Sequence, residues 1–284
     1  MTRRQLLFRC ALPGAALLAT SAGRLIAVPA ESPEQLSDAE QEKFLLSAKV
    51  LRTRELSEGI TNSIRATLSD GRLTHDAHIQ NIDVRQAVYQ TPQGTEFNFQ
   101  DSYRFNIAAY KLDRLLGLRR APVSVERRVS GKGSSVTWWV DDVLMTEKDR
   151  YLKGVEPPDP AAWNLQIYLV RVFDQLIYNL DRNLGNLVIT KDWQLWMIDH
   201  TRAFRFYKDL KSAETLQETK CERHLLTGLR KLNQDDLRRE IGRHVSNQQI
   251  DSLLSRRDKI VALYERRVAQ EGEEAVLYDL PPRT

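Results

Sequence analysis

The stretch Val172–Phe204 constrains the fold of this chain more than any other part of its sequence. It opens with an apolar helical pattern and passes through a polar turn that contains Asp181 and Asn186. Residues 187–198 then read as two short hydrophobic strands joined by a Lys-Asp turn, which is typical of a β-hairpin. Because a hairpin returns on itself, we expect Asn186, before its first strand, to lie close to Asp199, after its second.

These three polar residues are suited to phosphoryl transfer. Asp181 and Asn186 have the spacing of the protein-kinase catalytic loop, H-R-D-x-x-x-x-N, in which the Asp orients the attacking hydroxyl and the Asn holds Mg²⁺. Asp199 stands where a kinase places its second metal-binding aspartate. An Asp and an Asn at this spacing also occur in ordinary turns. The interpretation therefore depends on the surrounding helix and hairpin.

Two polar residues follow Asp199 directly. His200 and Arg202 are expected either to contact phosphate or substrate, or, in the case of the histidine, to serve as a structural hydrogen-bond partner. The sequence leaves both alternatives open.

A family resemblance can now be stated. The segments DRNLGNLVI and WMIDHTRAF resemble the atypical kinases related to the phosphatidylinositol 3/4-kinases and to the secreted Golgi casein kinases, and Arg104–Val129 resembles a helix and strand of the latter group. The resemblance implies an α+β, two-lobed protein-kinase-like fold, with a small antiparallel-sheet N-lobe carrying one long helix and a mainly helical C-lobe. We expect the N-lobe at residues 31–145 and the C-lobe, with a helical C-terminal extension, at 146–284.

The resemblance also implies a change in the pair that normally binds nucleotide phosphates. A kinase carries a lysine on its third strand, paired with a glutamate on the long helix. The lysine position falls at Gln80 and the glutamate position at Asn106. Two amides can hydrogen-bond without net charge, whereas loss of the lysine alone would leave a carboxylate unpaired in the cleft. The nucleotide site would lack the positive charge of this lysine. Arg65 is the candidate to replace it, and the alternative is that Arg65 is a solvated surface residue.

The loop before the strand of Arg65 is the other candidate for nucleotide binding. In a kinase N-lobe this first loop covers the phosphates, and here its backbone and hydroxyl donors would come from Gly59, Thr61, Asn62 and Ser63. One glycine is a weak signal, so a plain hairpin loop remains the alternative.

The first thirty residues are predicted to be an export signal peptide. A basic start, MTRRQLLFR, precedes the apolar run Cys10–Ser21, and small residues follow as far as Ala30. The adjacent arginines Arg3 and Arg4 leave the twin-arginine and the ordinary secretory route both open. The apolar run is too short to span a bilayer, so we expect cleavage, no transmembrane segment in the mature chain, and a periplasmic or extracellular location.

Cleavage at that point changes the charge and cysteine content. Removing four arginines from the 42 basic residues leaves 38, equal to the 38 acidic residues, so no nucleic-acid partner is expected. Cys10 would be lost and Cys221 would remain as a helix-surface thiol, without a partner for an intramolecular disulfide.

The sequence thus predicts a kinase-like enzyme that uses ATP and Mg²⁺, with Mn²⁺ as an alternative, to phosphorylate an unknown protein, lipid or small-molecule hydroxyl. A pseudokinase scaffold and a nucleotidyl transferase on the same fold are the alternatives. Motifs of zinc enzymes, serine hydrolases and P-loop ATPases are absent from the sequence.

Overall fold

The computed structural model describes residues 36–56, 63–91, 94–281 and 283. The predicted signal peptide and the predicted nucleotide contacts of Gly59, Thr61 and Asn62 lie outside the described residues. Within the ranges that are described, no helix is long and apolar enough to cross a membrane.

An antiparallel five-stranded sheet forms the first lobe, as predicted. Its strands lie in the order β1-β2-β3-β7-β6. Alternation of apolar and polar residues gives the sheet one buried face, which carries Ala66, Leu68, Ala77 and Ile79 and packs on the first helix. That helix begins at a capping box between Ser37 and Glu40. The bounds are α1 Asp38–Ser47, β1 Lys49–Glu55, β2 Ile64–Ser69, β3 Thr74–Gln80, β6 Ser124–Val129 and β7 Lys132–Trp138.

A separate hairpin and the long helix connect β3 to β6. The hairpin consists of β4 (Asp83–Thr91) and β5 (Gly94–Ser102), and the helix α2 spans Arg104–Leu115. Most buried apolar side chains of α2 belong to the core of the second lobe, whereas Tyr110 belongs to the core of the sheet. The helix therefore joins the two hydrophobic cores.

The hydrophobic pattern of the sequence predicts a hairpin of Val123–Val129 and Val136–Leu144, but the structure divides its second strand. Strand β7 ends at Trp138, and β8 (Val143–Thr146) pairs with β9 (Leu187–Thr190) in a different sheet. Asp142 adopts a positive φ of 50° between them, which turns the chain out of the first sheet.

The second lobe is mainly helical, as expected. Its small sheet has the order β10-β9-β8, so the predicted hairpin of residues 187–198 is present. Cys221 is buried in a short strand and is not a surface thiol. The bounds are α3 Glu147–Lys153, α4 Pro160–Ile177, β9 Leu187–Thr190, β10 Leu195–Met197, α5 Ala213–Gln217, β11 Cys221–Glu222, α6 Arg223–Lys231, α7 Gln234–Ile241, α8 Asn247–Glu271, α9 Glu273–Val276 and β12 Leu277–Tyr278.

The segment after Asp199 crosses the second lobe without helix or strand until α5 begins. Side chains of α8 bind its backbone. Gln249 Nε2 donates to the carbonyl of Phe204 at 2.8 Å, and Ser252 Oγ donates to that of Phe206 at 2.8 Å. The buried guanidinium of Arg256 donates to the carbonyl of Arg205 at 3.1 Å. The irregular path is thus fixed by hydrogen bonds from a regular helix.

Candidate functional site

Asp181 lies in the loop between α4 and β9, and its backbone fixes the loop. Its carbonyl accepts hydrogen bonds from the Asn183 N–H at 2.9 Å and from Asn186 Nδ2 at 3.0 Å. Because the amide nitrogen of Asn186 is engaged in this way, its Oδ1 is the atom that remains for a metal ion. Asp181 is exposed to solvent.

The structure brings the ends of the hairpin together as the sequence predicted. The N–H of Ile198 donates to the carbonyl of Asn186 at 3.1 Å, which places Asp199 beside the loop that carries Asp181 and Asn186. Arg182 strengthens this junction by donating to the carbonyls of Asn186 at 3.0 Å and Ile198 at 2.7 Å. Its Nε is bound to Asp174 of α4 at 2.9 Å. One guanidinium therefore ties the two predicted metal-binding positions to the helix below them.

Asp199 holds its side chain in a constrained position. Its backbone φ is 51°, a left-handed conformation that is uncommon for a residue other than glycine. Its Oδ1 accepts hydrogen bonds from the N–H of Thr201 at 3.3 Å and from the Thr201 hydroxyl at 3.1 Å. The second carboxylate oxygen is then the one suited to a metal ion.

The two amides expected at the lysine and glutamate positions meet directly. Asn106 Nδ2 donates to Gln80 Oε1 at 2.8 Å and lies 3.3 Å from Ser135 Oγ. Asn106 Oδ1 accepts from the N–H of His200 at 2.7 Å. The neutral pair therefore joins β3 and α2 to the segment that carries Asp199.

The remaining predicted phosphate-binding residues of the first lobe lie in or beside β2. Ser63 is buried at the start of the strand. Arg65 is half-exposed and forms an ion pair with Asp76 at 2.6 Å, and its guanidinium stacks on Trp139. The charge of Arg65 is thus already balanced on the face of the sheet that also carries Gln80.

The two residues after Asp199 divide between the alternatives left open above. His200 is 3% exposed, and burial lowers the pKa of its imidazole well below the ordinary value, helped by the charge of Arg182. Its position fits the structural alternative. Arg202 forms an ion pair with Glu96 of β5 at 2.6 Å, and its positive charge opposes the rise in the pKa of Asp181 that partial burial and the charge of Asp199 cause.

Sequence reasoning missed two cleft residues, His78 and Asp101. His78 shares a strand face with Gln80, and burial lowers its pKa while the charge of Asp199 opposes this. Asp101 is the penultimate residue of β5, and the last residue, Ser102, donates its N–H to the carbonyl of Thr201 at 2.9 Å. The alternation of β3 could have identified His78, but only the fold brings Asp101 to this place.

The site has an excess of negative charge. Partial shielding of the Asp181 carboxyl from solvent raises its pKa, and the charge of Asp199 raises it further. Burial raises the pKa of Asp101, which a hydrogen bond from Thr201 opposes, while Asp199 and Asp181 raise it again. Like charges in a common site disfavour the ionised forms of both carboxyls. A bound cation would relieve this repulsion.

The residues present fit a divalent cation of the Mg²⁺ or Mn²⁺ type. Carboxylate and amide oxygens are the hard ligands that such ions prefer. Asn186 and Asp199 offer one such oxygen each, and Asp101 has a buried Oδ1 without a hydrogen-bond partner in the described part of the chain. The ion would balance the carboxylates and bind nucleotide phosphates.

Comparison with solved structures identifies the fold as that of an atypical kinase. A Fam20 protein from hydra, solved with sugar, superposes with a TM-score of 0.65 at 16% identity, covering 85% of this chain and 92% of its own. A Golgi casein kinase with Mn/ADP bound gives 0.60 at 15% identity, covering 87% and 80%. The proinflammatory kinase CtkA from Helicobacter pylori gives 0.53 at 10% identity, covering 80% and 98%. No protein-family model and no curated protein matches the sequence.

Proposed function

We propose that this protein is an exported phosphotransferase that uses ATP and a divalent cation to phosphorylate a hydroxyl group. The observation that carries the proposal is the junction at which the backbone bond from Ile198 to Asn186 sets Asp199 beside the loop of Asp181. In this arrangement Asp181 orients the acceptor hydroxyl, and Asn186 and Asp199 hold the cation on the phosphate side.

The charge of the cleft favours a strict dependence on metal. Arg202, the cation that acts on both Asp101 and Asp181, is already bound to Glu96. A polyanionic nucleotide would therefore meet carboxylates without the usual lysine. Divalent ions supply the missing positive charge, so we expect ATP to bind only with Mg²⁺ or Mn²⁺.

Titration calorimetry of the full chain with ATP tests this proposal. We expect binding with Mg²⁺ or Mn²⁺, none in EDTA, and loss of binding in Asp199→Asn. The matched control is Asp192→Asn, which removes a carboxylate from the far end of the same hairpin and should bind as the wild type does. Absence of binding at millimolar ATP with either metal would reject the phosphotransferase.

The pseudokinase alternative is favoured by one specific observation, the buried neutral pair of Gln80 and Asn106. A kinase that lacks its preorganised lysine is expected to lose about 10²–10³ in rate, by analogy with other single preorganised donors. A protein that binds nucleotide but transfers nothing to any acceptor would fit this alternative.

Transfer of a nucleotidyl group is separated from phosphoryl transfer by the position of the label. γ-Labelled ATP marks the product of a phosphotransferase, whereas α-labelled ATP marks the product of a nucleotidyl transferase. The reaction should be run with the wild type and with Asp181→Asn, which keeps the metal ligands and removes the hydroxyl-orienting carboxylate.

The acceptor belongs to a protein, a lipid or a small molecule. One structural neighbour was solved with sugar and another is named a casein kinase. A screen should therefore begin with glycans and with acidic secreted proteins, both of which present hydroxyls. Mass analysis of each mixture, with Asp199→Asn as the blank, identifies the phosphorylated class.

Export is part of the proposal and rests on the composition of residues 1–30. Expression of the full chain in a bacterial host should yield a processed protein outside the cytoplasm, with its new amino terminus at or a few residues before position 31. Replacing Arg3 and Arg4 by lysine stops a twin-arginine substrate and leaves an ordinary secretory one exported. Full-length protein in the cytoplasm would contradict export.

A further inference from the structure

Asp101 holds a buried carboxylate oxygen that the fold leaves unsatisfied. The residue is 9% exposed, and its Oδ1 has no hydrogen-bond partner among the residues that the structure describes. A buried carboxylate oxygen without a hydrogen-bond partner is costly, and native proteins retain such an atom where an ion or ligand completes it.

Three contacts hold β5, the strand of Asp101, against the segment that follows Asp199. The Ser102 N–H donates to the Thr201 carbonyl at 2.9 Å, and Arg205 donates to the Gln100 carbonyl at 2.9 Å. At the other end of the strand, Glu96 is bound to Arg202 at 2.6 Å. Asp101 is therefore fixed beside the predicted metal-binding residue by bonds on both of its flanks.

The protein supplies too few donors for the two carboxylates. The Thr201 hydroxyl donates to Asp199 Oδ1 at 3.1 Å, and it also opposes the rise that burial causes in the pKa of Asp101. A threonine hydroxyl has one hydrogen and can serve only one of these carboxylates at a time. A cation between them would satisfy both.

We infer that Asp101 is a third ligand, and the second carboxylate, of the divalent cation held by Asn186 and Asp199. The inference rests on the function proposed above. Asn106 on α2 is neutral where the resemblance implies a glutamate. Asp101, just before the same helix, supplies a carboxylate in its place. Arg202 does not replace the cation, since its guanidinium is engaged with Glu96.

The inference is tested by measuring how tightly the full chain binds Mn²⁺, with and without ADP. Electron paramagnetic resonance reports the binding as a loss of the signal of free Mn²⁺. We expect Asp101→Asn to bind Mn²⁺ at least about tenfold more weakly than the wild type. Asp70→Asn removes a carboxylate from the turn between β2 and β3, where an amide oxygen can still accept from the N–H of Leu73, and should bind as the wild type does.

The outcomes separate this inference from the proposed function. Equal binding of Mn²⁺ by Asp101→Asn and the wild type overturns the role of Asp101 and leaves the phosphotransferase intact. Failure of the wild type to bind Mn²⁺ in either condition overturns both.

A second variant distinguishes a ligand from a merely structural residue and serves if Asp101→Asn does not fold. Asp101→Cys places a thiolate at the same position, and soft ligands favour Cd²⁺ over Mn²⁺. We expect its preference for Cd²⁺ over Mn²⁺ to exceed that of the wild type by at least about tenfold. An unchanged preference would overturn the inference. Cys221 is buried and should not compete.

Discussion

Asn106 and Gln80 are joined by a hydrogen bond of 2.8 Å at the positions where the resemblance to kinases implies a lysine–glutamate pair. Both residues are buried, at 7% and 1% exposure, and the other end of the Asn106 amide accepts the N–H of His200. The pair thus joins the sheet, α2 and the segment that carries Asp199 by hydrogen bonds between neutral groups.

Introducing one charged residue of the kinase pair should lower the free energy of unfolding, whereas introducing both should change it little. Asn106→Glu alone buries an uncompensated carboxylate and should lower the free energy of unfolding by about 3 kcal/mol. Adding Gln80→Lys should recover most of that loss and tighten ATP binding about tenfold, since a charge-assisted hydrogen bond contributes about 1.5–3 kcal/mol. Urea unfolding and ATP titration of the single and double variants check this. Additive losses in the double variant would show that the two positions are not coupled.

Asp199 should make the metal-free protein less stable than an otherwise identical protein with asparagine at this position. Asp199→Asn keeps an acceptor for Thr201 and a residue that tolerates the φ of 51°, while it removes the repulsion with Asp181 and Asp101. In EDTA we expect this variant to be more stable than the wild type by about 1 kcal/mol. It should also lose the increase in melting temperature that Mn²⁺ gives the wild type. A lower melting temperature than the wild type in EDTA would contradict the predicted repulsion.

Arg182 should be irreplaceable by lysine. Its guanidinium binds Asp174 and the carbonyls of Asn186 and Ile198 together, and an ammonium group cannot reach all of them in the same geometry. Arg182→Lys should lower the free energy of unfolding by about 2 kcal/mol and weaken Mn²⁺ binding by about tenfold. Arg171→Lys, on the exposed side of α4, is the control and should change neither quantity. Wild-type Mn²⁺ affinity in Arg182→Lys would show that the loop is held by other contacts.

His244 should make stability depend on pH. It precedes α8, and burial lowers its pKa to about 4, with Glu126 opposing this shift and Lys111 adding to it. Because the unfolded histidine, with a pKa of about 6.5, takes up a proton before the folded one, stability is full above about pH 6.5 and falls between there and about pH 4.

The measurement is urea unfolding at about pH 7.5 and about pH 5.5, where the wild type should lose about 1 kcal/mol more than His244→Asn. The comparison with the variant is needed because burial also lowers the pKa values of His78 and His200. If the free energy of unfolding fell equally in both proteins, groups other than His244 would cause the pH dependence.

The sequence predicted those parts of the fold and site that depend on local order along the chain. The spacing of Asp181, Asn186 and Asp199 across one hairpin needs only that the hairpin form, and the structure has it. The contact between Gln80 and Asn106 followed from the resemblance, which implies that the third strand of the sheet packs against the long helix.

Other parts depend on contacts that no local pattern contains. Asp101 reaches the metal-binding region because β5 bonds to Thr201, about a hundred residues away along the chain, and nothing in the spacing around Asp101 indicates this. The strand expected over Val136–Leu144 is broken at Asp142, since β8 gains a partner in the second lobe. Apolar alternation alone does not reveal such a change of sheet.

The bonds from α8 to the segment after Asp199 go to main-chain carbonyls, of Phe204, Arg205 and Phe206. A carbonyl is the same whichever amino acid carries it. The three hydrogen bonds from α8 therefore fix the route of the backbone and do not depend on which side chains the segment carries. Because Phe204 and Arg205 are buried, a substitution at either position changes the packing of the second lobe and leaves these hydrogen bonds in place.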